Sequence, residues 1–127
     1  MAEPIVFVSH SRVKEGKLEG LREFMLKSTP VLQADKPRTL TFLAYLNESR
    51  SELTIVHVFA DAAAMDVHME GVSERVTKAY EYIETIGFDI YGRPSDTVLN
   101  MMRSVSTPGL TLNLQPEHVG GFLQPVS

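Results

Sequence analysis

Apolar residues along this chain switch repeatedly between strand-like and helix-like spacing, and the order of those switches limits the folds open to it. Pro4 to Ser11 (PIVFVSHS) is apolar and β-branched and reads as a strand. From about Lys14 to Ala34, Leu18, Leu21, Phe24, Met25 and Leu32 fall near one helical stripe, with Lys17, Glu19, Arg22, Glu23 and Lys27 outside it. Pro30 has no backbone N–H to give, so this helix is expected to kink or end around Ser28–Thr29. Thr39 to Leu46 (TLTFLAYL) and Glu52 to Phe59 (ELTIVHVF) are two more strands. The polar link between them, Asn47 to Ser51, is of hairpin length and should pair them antiparallel. Asp61 stands where a helix N-cap belongs, directly before Ala62, Ala63 and Ala64. The helix that it opens is expected to run to about Glu84, with Met65, His68, Met69, Val72, Val76, Ala79, Tyr80 and Ile83 on its apolar stripe. Gly87 then punctuates, and Phe88 to Tyr91 make a short fourth strand. Beyond the breaker Gly92-Arg93-Pro94, Ser95 or Asp96 can cap a short helix ending at Met102 or Arg103. A turn at Thr107-Pro108-Gly109 leads into a fifth strand, Leu110 to Leu114, and a loop-rich tail.

The order β-α-β-β-α-β is that of a ferredoxin-like, split βαβ α+β fold, an antiparallel sheet with both main helices on one face. Strands one to three have few positions committed to water, so the other face is also apolar and calls for a partner. A homodimer with two sheets face to face is the expectation. At 127 residues the chain is one domain. We divide it into a unit over 1–105 and a C-terminal helix and strand extension, with 106–127 packing on the domain or on the partner subunit. A net charge of −4 offers no basic excess for phosphates, so nucleic acid and anionic membrane surfaces are poor partners. The first residues carry no basic, apolar leader and no stretch approaches the roughly 18 apolar residues of a membrane span, which makes the cytoplasm the expected location. The absence of cysteine excludes disulfides, thiolate metal sites and a Cys nucleophile.

Four histidines are the side chains poised to titrate near neutral pH. His68 lies on the apolar stripe of the second long helix. It is either a core histidine satisfied by one hydrogen bond or a base in a cavity between helix and sheet. His57 sits mid-strand between Val56 and Val58. On the face of Ile55 and Phe59 it would approach His68; on the other it would lie in the dimer interface, and both readings stay open. His10 is at a strand end beside Val6, Val8 and Arg12, and His118 lies in the tail. Their spacing contains no H-x-x-x-H or H-E-x-x-H motif, so no metal site is expected. Glycine-rich phosphate loops and a G-x-S-x-G elbow are also missing. Tyr45, Tyr80, Tyr82 and Tyr91 offer phenolic hydrogen bonds, whereas Met65, Met69, Met101 and Met102 read as core filler.

The stretch Leu53 to His68 (LTIVHVFADAAAMDVH) resembles the antibiotic biosynthesis monooxygenase-like family of dimeric α/β barrels. Phe59 takes the place of the aromatic that ends the third strand, Asp61 that of the helix entry, and His68 that of the histidine nine residues after the aromatic. A "VKEGK"-like loop after the first strand also fits, and the resemblance covers roughly residues 4–92. His57 stands where many relatives have glutamate, and Phe59 where many have tryptophan. Ser11 replaces the asparagine of the heme-degrading branch, and the chain contains no tryptophan, which disfavours that branch. The resemblance implies a cofactor-independent monooxygenase acting on a phenol, quinol or polycyclic aromatic. In it His68 is the base or a substrate hydrogen-bond partner, and His57 orients it or shares the proton. Phe59 and Tyr45 line the cavity, with Met65 and Ser11 as further substrate-binding candidates. The alternative is a non-catalytic small-molecule-binding or stress-related barrel on the same fold.

Overall fold

The computed structural model describes residues 3–105 and 109–124. Nine elements follow in chain order: β1 (Ile5–Val13), α1 (Leu18–Asp35), β2 (Thr39–Leu46), β3 (Glu52–Phe59), α2 (Ala62–Met69), α3 (Val72–Ala79), β4 (Ile83–Tyr91), α4 (Asp96–Ser104) and β5 (Thr111–Gln115). The sheet order is β2-β3-β1-β4-β5. The pairs β1–β3, β1–β4 and β2–β3 are antiparallel, as a split βαβ unit requires. β5 departs from that pattern. It joins β4 in parallel through the crossover helix α4, so the sheet is mixed and the extension adds a strand to the domain's own edge. The expected turn at Thr107–Pro108 lies outside the described residues.

Helices cover one sheet face in two clusters. Phe7, Phe59, Ile90 and Ile5 meet Ala64, Met65 and Met69 of α2 and Val98 and Met102 of α4. At the other end Leu21 of α1 packs with Leu53 and Ile83. The opposite face carries Val6, Val8, Val56, Val58, Leu43, Tyr45 and Tyr91, the alternate residues of the paired strands. Leu43 and Tyr45 are left 47% and 59% exposed there, which leaves an apolar sheet face uncovered.

Three expectations are corrected. Of the two outcomes expected at Pro30, a kink or an end around Ser28–Thr29, the end is excluded: Pro30 lies inside α1, which continues to Asp35. The long second helix is two short ones. Gly71, at φ 76, takes the left-handed conformation that glycine adopts without a Cβ clash, and it separates α2 from α3. The apolar spacing carries through that break, which is why periodicity alone runs the elements together. β4 begins at Ile83, and Gly87 lies within it. A Cβ on Gly87 would meet the Thr111 hydroxyl at 2.5 Å, so glycine there admits β5 alongside. The caps follow the sequence more closely. Asp61 accepts from Ala64 N–H at 2.8 Å, and Ser95 accepts from Val98 N–H at 3.2 Å.

Candidate functional site

His57 points to the helix-covered face. Register explains it: His57 lies opposite Phe7 of β1 and Phe42 of β2, and it shares parity with the buried Leu53 and Phe59. Its Nδ1 is 2.9 Å from the Phe7 carbonyl oxygen. A carbonyl only accepts, so Nδ1 carries the proton and the neutral ring keeps its lone pair on Nε2. The ring stacks on Phe7 at 4.7 Å between centroids and meets Phe42 edge-on at 5.1 Å.

His68 comes from α2 to meet it. The two imidazoles stand edge to face at 5.1 Å, and Phe59 lies 5.2 Å from the His68 ring. His68 Nδ1 is 2.7 Å from the Thr39 hydroxyl. Thr39 reaches the helix face because β2 changes register between Thr39 and Thr41, which brings Thr39 opposite Phe59. Neither Nε2 has a hydrogen-bond partner among the described residues. No fully buried side-chain nitrogen or oxygen among them is unpartnered.

Two cations hold α2 in place from its C-terminal end, where helical carbonyls lack intrahelical partners. Lys36 Nζ donates to Val67 O at 2.8 Å, and Arg75 donates to His68 O at 2.6 Å and to Glu70 O at 2.8 Å. Burial and these charges keep both rings neutral. Burial pushes His57 down to about 4, partly opposed by the Phe7 carbonyl, with Arg75 lowering it further. His68 falls to about 3, first from burial, then from His57, Arg75 and Lys36. Arg75 itself is lowered by burial, against the pull of Asp35.

A groove of about 400 Å³ opens between the C-terminal half of α1 and β2, and Lys36, Thr39 and Phe42 are in its wall. It therefore reaches the group that holds His68 and a ring that packs on both histidines. Below α2 the space is filled: Met65 and Phe59 are fully buried.

Of the residues singled out from sequence, the structure brings together His57, His68, Phe59 and Met65. Tyr45 does not join them. It pairs with Thr54 and projects from the open face, because its parity is opposite to that of Phe42. Ser11 is buried opposite Leu53, four residues along β1 from Phe7, or roughly 13 Å at strand rise. His10 lies on the open face, with Nε2 2.7 Å from Asp89 and Nδ1 3.4 Å from the Thr54 hydroxyl. His118 lines a separate hollow with Glu3, Pro4, Ala60 and Phe122. Sequence reasoning missed Phe7, Phe42, Thr39, Lys36 and Arg75. The parity of Phe42 with His57 across the hairpin was a usable signal; the β-bulge that delivers Thr39 leaves none. Among the described residues no group of three or more His, Cys, Asp or Glu side chains could hold a metal ion. No helix among them is long and apolar enough to cross a membrane.

No protein-family profile and no curated protein matches the sequence. Solved structures do match in fold. MupZ from Pseudomonas fluorescens superposes with a TM-score of 0.70 at 13% identity, over 98% of this chain and 99% of its own. SnoaB, a cofactor-independent oxygenase from Streptomyces nogalater, gives 0.58 at 14% identity, over 74% of this chain and 96% of its own. A Bacteroides thetaiotaomicron protein assigned as an antibiotic biosynthesis monooxygenase gives 0.57 at 16% identity, over 74% and 90%. The ferredoxin-like fold is thus shared with antibiotic biosynthesis monooxygenase-like proteins, and the similarity to MupZ runs through nearly the whole chain.

Proposed function

We propose that this chain is a cofactor-independent monooxygenase of phenolic, quinol or polycyclic aromatic molecules, acting as a cytoplasmic homodimer. The observation that carries this reading is the neutral His57–His68 pair among Phe7, Phe42 and Phe59. An aromatic substrate in the adjacent groove gains stacking from Phe42, and its acidic proton has an acceptor in the Nε2 lone pair. As the substrate becomes an anion, its charge raises the affinity of the adjacent ring for the proton. The resulting electron-rich anion reduces dioxygen itself: a ring CH2 becomes C=O, one oxygen atom is retained, and the other leaves with both hydrogens as water. His68 is the base in this reading, with Thr39 setting its ring and His57 sharing the proton. The uncovered sheet face supports the dimer.

Oxygen uptake with a panel of quinols and anthrones tests it. Wild type should consume oxygen and His68→Ala should fall by a factor of about 10² or more. Equal, near-background rates in both would remove the oxygenase reading. Titration with heme should produce no discrete Soret shift. The filled space around Met65 and Phe59 favours a second reading, a non-catalytic binder. That protein would bind the same aromatics and consume no oxygen with any of them.

A further inference from the structure

Lys36 is a cation that the fold buries without giving it a full set of partners. It is 7% exposed, at the C-cap of α1, where its own N–H donates to Leu32 O at 2.9 Å. Its ammonium has three donors. One goes to Val67 O, a neutral acceptor, at 2.8 Å. The nearest carboxylate, Asp35, is 3.6 Å away, beyond hydrogen-bonding range, and is itself largely exposed. Burying a charge on one neutral carbonyl and one ion pair to an exposed carboxylate is costly, and a neutral side chain could cap α2 without that cost. Lys36 also lines the groove between α1 and β2, together with Leu32, Gln33, Thr39, Leu40 and Phe42. Apolar walls, a few hydrogen-bonding side chains and one buried cation form the lining of a small-molecule site with a preference for negative charge.

We propose that Lys36 is the anion-binding residue of this groove, taking an anionic oxygen, a carboxylate or an ionised hydroxyl, of an aromatic ligand that lies along Phe42 toward Thr39 and His68. This deepens the oxygenase reading and rests on it for the chemistry at His68. There, the same cation stabilises the anion left when the substrate gives up its proton. Lys36 thereby serves two ends: it fixes the α2 terminus that carries His68, and it selects the charge of the ligand.

The test is equilibrium binding under argon at pH 7.5, which involves no turnover, with 2-naphthoate and its neutral analogue 2-naphthamide as probes. A failed oxygen assay therefore leaves this inference standing, and a failed charge preference leaves an oxygenase of neutral substrates standing. Wild type should bind the carboxylate about tenfold more tightly than the amide, as a charge-assisted hydrogen bond provides. K36M should bring the ratio to about one, and K36R should retain most of it. In wild type the Lys36 ε-methylene resonances should shift on titration with 2-naphthoate, a readout that does not depend on K36M folding. A ratio near one in wild type, a tenfold ratio kept in folded K36M, or unmoved Lys36 resonances at saturating 2-naphthoate would each overturn the assignment.

Discussion

His57 and His10 stand on adjacent strands and point to opposite faces of one sheet, and their surroundings differ in kind. His57 is enclosed by Phe7, Phe42, Phe59 and a second imidazole, with a backbone carbonyl as its hydrogen-bond partner. His10 is half-buried and rests on Asp89, whose carboxyl is held below its ordinary range by the Asn113 amide and then by His10. A buried imidazole near the Arg75 cation stays neutral and keeps a lone pair to accept a proton. A histidine on a carboxylate at an accessible face is an ordinary polar pair. The same strands thus present a helix-covered face that encloses two imidazoles and an open face with a polar pair, separated only by side-chain parity.

The largest difference should appear in turnover. With any quinol or anthrone that wild type oxidises, His68→Ala should lower the rate by a factor of about 10²–10⁴. His10→Ala should leave it within about twofold. Comparable losses in the two variants would erase the distinction between the faces.

Packing provides the next contrast. Phe59→Ala removes a fully buried ring and should cost about 3–5 kcal/mol in urea unfolding. Tyr45→Ala, on the open face, should cost about 0.5 kcal/mol or less in the monomer. A Tyr45→Ala cost that grows with protein concentration would assign the open face to a subunit interface, and sedimentation would then detect the dimer directly.

Acid should act through the helix-covered face first. The folded values of His57 and His68, about 4 and about 3, lie below the ordinary 6.5, so the unfolded chain binds more protons in between. Stability is therefore complete above about pH 6.5 and declines as pH falls toward 4. By pH 4.5, above the range in which Asp89 titrates, the loss should be on the order of 2 kcal/mol for each histidine. His57→Phe should remove roughly half of that dependence, as followed by denaturation midpoints at pH 7 and 4.5. Smallest of all, Asp89→Asn breaks an accessible pair and should change stability by about 1 kcal/mol or less.

Much of this fold is legible in the sequence because its signals are local. The hairpin of β2 and β3 follows from two apolar runs on a short polar link, and Asp61 declares the start of α2. The break at Gly71 is hidden because Val72, Val76 and Ala79 continue the apolar spacing of Met65, His68 and Met69 after the left-handed turn. The face of His57 is hidden for another reason: Ile55 and Phe59 on one side and Val56 and Val58 on the other are equally apolar. Only the helices decide which face is covered. Thr39, Lys36 and Arg75 act on His68 through a bulge and the end of a helix, neither of which has a sequence period. Tyr45 misleads because chemistry suggests a cavity residue, whereas pairing parity sends it to the opposite face.

The central claim is that two histidines are kept neutral and able to accept a proton on one face of the sheet. Nitrogen-15 NMR of the imidazole rings, followed from pH 7.5 to 4.5, measures this directly. The His57 and His68 rings should remain neutral at pH 5, and the His57 ring should carry its proton on Nδ1 with Nε2 unprotonated. Protonation of both rings with midpoints near 6.5, or a His57 ring protonated on Nε2 alone, would contradict it.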